Sequence, residues 1–412
     1  MSFPHRRKAR RLLALALACW ALSSPAQQRL TSSEAVALAL SQPHVRQALD
    51  AEVDLARSEV LAARTWSNPR LELSAERGEG EARETSAVLS QEIELGGRRG
   101  RRIEAAGLGV RAAEVTARYE RARLRADVLR VYSQVVAAER LRDARGQAAA
   151  ALQALADVAG KRHRGGDLSG YESRRIGQAS DQAEAEATLA DAEAGAARAR
   201  LAGWIGEVAL TAELEATPPL PSIPALQDDV TPAGLEVLQA RRDAAAAQAD
   251  AEARLALPLS VGVGTQRVEE AGIRDNVLLL ELGVPLPVFD RNRAGRARAA
   301  AESAIADAHW RRALLQARSR RAAARAEARL LSGAARALFE STVPEAARLT
   351  AIARASFAEG ELDLVGLLDA HQAETDVIRQ ATDLQSRALE AVLELQLLGP
   401  PEPDRQPVPL KE

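Results

Sequence analysis

The chain has 412 residues, 47% of them hydrophobic but only 3% aromatic, and a formal net charge of −2. Its 89 alanines favour long, closely packed helices and argue against sandwiches, doubly wound sheets and several large aromatic cores. The single cysteine, Cys19, excludes a disulfide framework or a cysteine-based metal site, and the near-neutral balance carries no basic footprint for nucleic acid.

Residues 1–26 have the pattern of a secretory signal peptide. His5, Arg6, Arg7, Lys8, Arg10 and Arg11 precede the apolar run Leu12 to Leu22, and Ser24-Pro25-Ala26 supplies small residues for cleavage. That run is about half of the ~20 residues that span a bilayer. Lipidation of Cys19 is a second reading, although it would follow too short an apolar run, with Ala16 where Leu is usual. Removing the segment takes away five Lys/Arg and no acid, so the net charge of the remainder becomes −7. No later apolar run is long enough for a transmembrane helix, so a membrane-spanning chain would have to use strands closed into a barrel.

The next element is a helix, announced by the capping box Thr31-x-x-Glu34 ahead of Val36, Leu38 and Leu40. Pro43 punctuates it, and helical pattern resumes from Val45 to about Arg64. Period-two alternation then runs over Arg70 to Glu76 and, after the turn Gly78-Glu79-Gly80, over Ser86 to Leu95, an amphipathic hairpin closed by Gly96-Gly97. A proline-free stretch from about Arg99 to Lys161 predicts one long helix, with Leu124, Val128, Val131, Val135 and Ala138 as its seam. Gly165-Gly166 breaks it, and a shorter helix from about Tyr171 to Trp204 returns antiparallel. The pattern then recurs: alternation over Leu257 to Gly264, a turn near Gly272, a return strand from Leu278 to Leu286, a long helix from about Arg293 to Glu359, and a last helix from about Val365 to Leu398.

Val158 to Leu168 aligns on Ile352 to Leu362 without a gap, so Gly166-Asp167-Leu168 falls on Gly360-Glu361-Leu362. The chain therefore reads as a first repeat over 27–206, a Pro-rich linker over 207–232, a second repeat over 233–399 and a disordered tail over 400–412. Each repeat is a helix, a strand hairpin, a long helix and a short helix. Two hairpins supply only four strands, which cannot close a barrel, so copies of the chain must pool them: two copies would give eight strands and three would give twelve. Only the larger barrel leaves a conducting lumen, lined by the polar strand faces while the Leu/Val faces meet lipid. The alternative for the hairpins is a soluble sheet packed on the helices.

On these residues the chain resembles the TolC-like family of outer-membrane efflux channels. Ser90-Gln91-Glu92-Ile93-Glu94-Leu95-Gly96-Gly97-Arg98-Arg99 and Val284-Pro285-Leu286-Pro287-Val288-Phe289-Asp290-Arg291-Asn292 resemble its heavy-metal, CzcC-like branch. Val343-Pro344-Glu345-Ala346, Ser356 to Leu362 and Leu367-Leu368-Asp369-Ala370 resemble its second-repeat pattern, with Phe357 where Tyr is usual. The resemblance implies a mainly α fold with a membrane β-barrel: a homotrimer with a 12-stranded barrel in the outer membrane and an α-helical periplasmic tunnel. The implied partners are a periplasmic adaptor (membrane fusion protein) and an inner-membrane resistance-nodulation-division pump, contacted through hairpin tips at Gly166, Leu168, Gly360 and Leu362. Asp369, with Asp363, is the implied acidic ring of the periplasmic constriction, while Gly366 stands where another family acid is usual. The implied function is a passive exit duct for divalent cations such as cobalt, zinc, cadmium or copper. Drugs or secreted polypeptides are the alternative cargo, and a periplasmic coiled-coil adaptor is the alternative class.

His44, His163, His309 and His371 match no metal-ligand spacing, and no nucleophile, phosphate-loop or dinucleotide motif stands in a suitable context. No enzyme, cofactor or resident metal is therefore expected. Arg98, Arg99, Arg101 and Arg102, with Arg291, Arg293, Arg296 and Arg298, cluster where each hairpin feeds its long helix. They could meet lipid phosphates at the inner rim of the barrel, or simply be solvated helix starts.

Overall fold

The computed structural model of the chain describes residues 29–77, 83–215, 223, 231–254, 257–270 and 273–399. The signal segment with Cys19, the turn Gly78-Glu79-Gly80, Gly272, most of the Pro-rich linker and the tail from Pro400 lie outside them. The elements in order are α1 (Ser32–Ser41), α2 (Pro43–Arg64), β1 (Arg70–Arg77), β2 (Arg83–Leu95), α3 (Arg98–Arg164), α4 (Gly170–Ile205) and α5 (Val208–Thr211). They continue with α6 (Ala233–Ala253), β3 (Leu257–Glu270), β4 (Ile273–Gly283), α7 (Arg293–Ala337), a π-turn (Leu338–Thr342), α8 (Val343–Glu359) and α9 (Leu364–Leu397).

The order matches the sequence reading, with three differences. Strand β3 runs on to Glu270, beyond the Gly264 where its alternation ends. Strand β4 begins and ends earlier than its alternation suggests: Pro285 and Pro287 cannot donate to a ladder, so regular pairing stops at Gly283. The second long helix is also interrupted. Pro344 lacks an N–H and its ring would press on the carbonyl of Glu340, and the π-turn just before it absorbs that conflict, the Val343 N–H reaching back to the Leu338 carbonyl.

Two compact units form, one from the described residues of Pro43–Leu124, Ser222–Arg329 and Ala391–Glu412, the other from those of Met1–Gln42, Arg125–Pro221 and Leu330–Glu390. Each therefore draws on both repeats.

The first unit holds a single antiparallel sheet in the order β1-β2-β3-β4. Its register places Leu71, Leu89, Val263 and Leu280 in one row across all four strands, and Leu73, Ala87, Thr265 and Leu278 in the next. The large apolar side chains of this face are exposed, Leu280 at 79%. The opposite face carries Glu72, Ser74, Glu84, Ser86, Ser90, Glu92, Gln266 and Glu281, with Ser74 bonded to Ser86 at 2.7 Å and Gln266 to Glu84 at 2.9 Å. On that face Val88 lies buried over Gly262 and Gly264. A Cβ at Gly264 would stand 2.4 Å from the Ala87 carbonyl, so only glycine lets β2 and β3 approach there. Beside the sheet, α3 and α6 share a small core of Ala112, Val115, Val237 and Ala240.

In the second unit the capping box is present as read: the Glu34 N–H donates to the Thr31 hydroxyl at 3.2 Å and the Thr31 N–H to the Glu34 carboxylate at 2.8 Å. Alanines do the packing on α4, where Ala190, Ala194, Ala197 and Leu201 form a buried stripe. The α3 seam is centred on Val128 and Val135, but its largest buried residue is one that periodicity did not single out. Tyr132 is fully buried; its hydroxyl donates to the Leu30 carbonyl at 2.6 Å and accepts from the Glu215 N–H at 3.0 Å. Burial pushes that hydroxyl up to about 12, against the pull of the Glu215 hydrogen bond, so it stays protonated and can donate. It thereby locks the short parallel bridge Leu30–Leu214 onto α3. Tyr132→Phe removes both hydroxyl bonds and leaves the Glu215 N–H and the Leu30 carbonyl only their mutual bond at 3.2 Å, and a loss of about 1 kcal/mol in urea denaturation is expected.

Candidate functional site

The two helical turns singled out in the sequence prove to be the same device built twice. At the end of α3 the Gly166 N–H donates to the His163 carbonyl at 3.1 Å and the Asp167 N–H to the Arg162 carbonyl at 2.9 Å, with Gly166 at φ 86°. At the end of α8 the Gly360 N–H donates to Phe357 at 3.2 Å and the Glu361 N–H to Ser356 at 2.8 Å, with Gly360 at φ 81°. Both are Schellman caps, and each donor and acceptor of one falls on its counterpart in the gapless alignment. A Cβ at either glycine would meet nothing within 4 Å, so the need for glycine is the left-handed backbone and not space.

The return helices are capped in matching positions as well. Ser169 accepts from the Glu172 N–H at 3.2 Å, and Glu172 closes the box on the Ser169 N–H at 3.2 Å. Asp363 is its counterpart: its carboxylate accepts from the Gly366 N–H at 2.9 Å at the start of α9. A negative charge there also suits the helix N-terminus. The structure therefore gives Asp363 a capping job in the tip itself. Gly366 has a local reason to lack a side chain, since a Cβ there would stand 2.7 Å from Leu362 Cδ1 and 3.2 Å from Asp363 Oδ1.

Gly166 and Gly360 are exposed, while Leu168 and Leu362 are half-buried at equivalent points of their turns. The tips are in contact, the Arg162 guanidinium lying 5.9 Å from the Phe357 ring centroid. A phenyl ring preserves this cation–π contact as well as the usual tyrosine would. Four basic residues end α3, Lys161, Arg162, His163 and Arg164, where the helix dipole favours them. Asp369 is exposed further along α9.

Just behind the second tip, α8 and α9 are joined by polar contacts that spacing did not reveal. Thr350 Oγ1 donates to the Ala370 carbonyl at 3.2 Å, and Arg354 Nε lies 3.4 Å from His371 Nε2. His371 is 3% exposed, and burial, followed by the Arg354 charge, holds its imidazole below the ordinary value, with Glu374 opposing. Among the described residues no group of three or more His, Cys, Asp or Glu side chains could hold a metal ion.

The first arginine cluster of the sequence is tied into the joint between sheet and helices. Arg98 bonds Glu252 at 2.8 Å, Arg101 pairs with Glu104 and Asp250, and Arg102 pairs with Glu94 at 3.1 Å. Arg99 donates to the Arg64 carbonyl at 2.6 Å and stacks 4.5 Å from the Trp66 ring centroid. Glu252 also accepts from Asn292 at 2.6 Å, which links the two motif segments of the sequence. Burial alone would raise the Glu252 carboxyl, but the Asn292 and Arg98 hydrogen bonds and the charges of Arg98 and Arg102 outweigh it and hold the group below its ordinary value.

No family model matches the chain. Over 361 residues it is 29% identical to the cobalt-zinc-cadmium resistance protein CzcC of Cupriavidus metallidurans, with 83% of each chain covered. The outer membrane protein VceC of Vibrio cholerae superposes with a TM-score of 0.72 at 18% identity, over 90% of this chain and 96% of that one. The MtrE outer membrane channel of Neisseria gonorrhoeae, in its open state, superposes with a TM-score of 0.70 at 20% identity, over 89% of each. The solved structures establish a shared fold, and with CzcC they bear out the resemblance carried by the sequence motifs.

The buried His371 makes the α8–α9 hairpin sensitive to acid. A folded-state value below the unfolded one, about 6.5, means that its contribution is complete above that pH and is lost as the pH falls through it towards the folded value. Urea midpoints compared at about pH 7.5 and about 5.5 are expected to drop for the native chain and to drop less for His371→Gln.

Proposed function

We propose that the chain is the outer-membrane exit duct of a tripartite resistance-nodulation-division efflux system that exports divalent heavy-metal cations. The observation that carries this reading is the four-stranded sheet: one face carries a band of exposed Leu and Val side chains, the other is mainly polar, and among the described residues neither edge strand, β1 or β4, has a further neighbour. A sheet with that alternation meets lipid on one side and water on the other once its edges are closed. Strands of 13, 14 and 11 residues in β2, β3 and β4 reach the roughly 9–11 that a tilted membrane strand needs. Among the described residues no helix is long and apolar enough to cross a membrane.

Three copies close the sheet into a 12-stranded barrel, and β1 of one copy meets β4 of the next in antiparallel sense, as the alternation of the four strands requires. The similarity to CzcC favours metal cations over drugs or polypeptides as cargo. The passage itself is passive; the energy comes from an inner-membrane pump, reached through a periplasmic adaptor that docks on the tips at Gly166, Leu168, Gly360 and Leu362. A periplasmic adaptor fold is disfavoured by the arrangement itself, because both helical hairpins are threaded through one shared sheet. Asp369 is the better constriction residue, since its carboxylate is exposed while that of Asp363 is engaged in the cap. Three copies of Asp369 would set a ring of carboxylates that draws cations.

Two measurements test the reading. Deletion of the gene is expected to sensitise cells to cobalt, zinc or cadmium, and Leu362→Arg to do the same while trimers stay in the outer-membrane fraction; recovery of the native chain as a soluble periplasmic protein overturns the duct. In planar bilayers, Asp369→Ala is expected to weaken the response of single-channel conductance to divalent cations, and an unchanged response removes Asp369 from the constriction.

A further inference from the structure

The segment between β4 and α7 is one of the two motifs that resemble the metal branch, and neither the barrel nor the tips use it. Its side chains are unusually bare: Leu286 is 78% exposed, Val288 61% and Phe289 99%. Three exposed apolar residues within four positions of an irregular segment need a cover.

The register of the sheet says which cover. The apolar face of β4 begins at Leu278, because the residues before it on that face, Arg274 and Asn276, are polar. Within the strand the face ends at Leu282, so it covers only about 14 Å along the chain, or about 10 Å of height at a tilt near 40°. A membrane barrel presents an apolar band about 25 Å tall. On the inner strand β2 the same face, interrupted by Gln91, resumes with Ile93 and Leu95, and Leu95 pairs with Leu257 of β3. Extending the β3–β4 register by three residues sets Leu286 opposite Leu257. Val284 and Leu286 each precede a proline, which keeps them extended and preserves the alternation after the ladder has stopped. The face then spans about 27 Å along the chain, about 21 Å in height, which nearly fills the band.

Beyond that point the chain turns. The Val288 N–H closes onto the Leu286 carbonyl at 2.8 Å, the Asn292 N–H onto the Asp290 carboxylate at 2.8 Å, and Arg291, Arg293 and Arg296 follow. An aromatic ring followed by cations, at the end of an apolar face, matches the boundary between acyl chains and phosphates. At the other edge of the sheet, Trp66 lies half-exposed before β1 with Arg99 stacked on it.

We infer that Val284–Phe289 is a membrane-interface anchor: Val284 and Leu286 complete the lipid-facing surface of β4, and Val288 and Phe289 sit at the phospholipid headgroup level of the leaflet nearer the helices. The inference rests on the duct reading, in which the Leu280 face meets lipid. It gives the Val284 to Asn292 motif a physical task, setting the depth of the barrel in the bilayer.

The test uses the full processed chain, whose lack of cysteine after removal of residues 1–26 makes single labels possible. Leu280→Cys and Phe289→Cys carry an environment-sensitive fluorophore in vesicles of phosphatidylethanolamine and phosphatidylglycerol, with nitroxides placed either on the headgroup or near the end of the acyl chain. Leu315→Cys on α7 supplies the unquenched baseline. The label at 289 is expected to lose roughly twofold in emission with the headgroup nitroxide and little with the deep one, and the label at 280 to show the reverse. Failure of either nitroxide to quench position 289 while 280 is quenched overturns the anchor and leaves the duct standing. Equal or stronger quenching of 289 by the deep nitroxide overturns the interfacial placement. If position 280 is quenched by neither, the sheet does not face lipid, and the duct reading fails with the inference.

Discussion

Inside a hydrocarbon layer every backbone N–H and C=O must be satisfied by the protein itself, since each orphan costs several kcal/mol. In the proposed duct the rest of the chain depends on that constraint. Its four strands satisfy one another in the middle of the sheet but, among the described residues, leave the outer sides of β1 and β4 without neighbours, so a membrane location demands further copies to complete the ladder. In the proposed barrel, closure also dictates the two faces. A Leu/Val surface exposed to water would be a liability, and exposed to lipid it is the source of stability.

The joints between strands and helices are critical in the proposed duct, because a ring of strands would have to hand over to helices without leaving charges adrift at the membrane edge. Arg98, Arg101 and Arg102 spend their charge on Glu252, Asp250 and Glu94, and Arg99 on a backbone carbonyl and an indole face. Asn292 closes the circle by donating to Glu252. Two motifs nearly two hundred residues apart thus form one connected joint. The glycines Gly262 and Gly264 act on the same strands from the polar side, letting Val88 fold across β3.

Much of this was legible along the chain. Period two located the strands, the absence of proline located α3, and the repeated Gly-Asp-Leu and Gly-Glu-Leu located the tips, because each depends on a local rule of backbone geometry. The position of the helix reversals was legible but their hydrogen bonds were not: the structure shows that the gapless alignment carries one Schellman cap onto the other, and Ser169 onto Asp363, which the sequence had suggested only as an acidic constriction residue. Other features were not legible. Tyr132 looks like any helical tyrosine until Leu30 and Glu215, far away in sequence, meet at its hydroxyl. His371 is an unremarkable histidine until Arg354 packs beside it. The arginine clusters read in sequence as solvated helix starts or lipid contacts, the former favoured, and only the carboxylates brought to them decided that Arg98, Arg101 and Arg102 serve the joint.

By itself, then, the amino-acid order determined the elements, the likeness between their two halves and the alternation of apolar and polar residues along the strands, since periodicity, proline and glycine act within a few residues. Tertiary structure alone decided which strand neighbours which, where an apolar row continues past the end of its ladder, and which charged groups are already spoken for. Those are outcomes of register and long-range contact. They depend on pairs of residues that the chain separates by dozens to hundreds of positions, and no local rule links the members of such a pair.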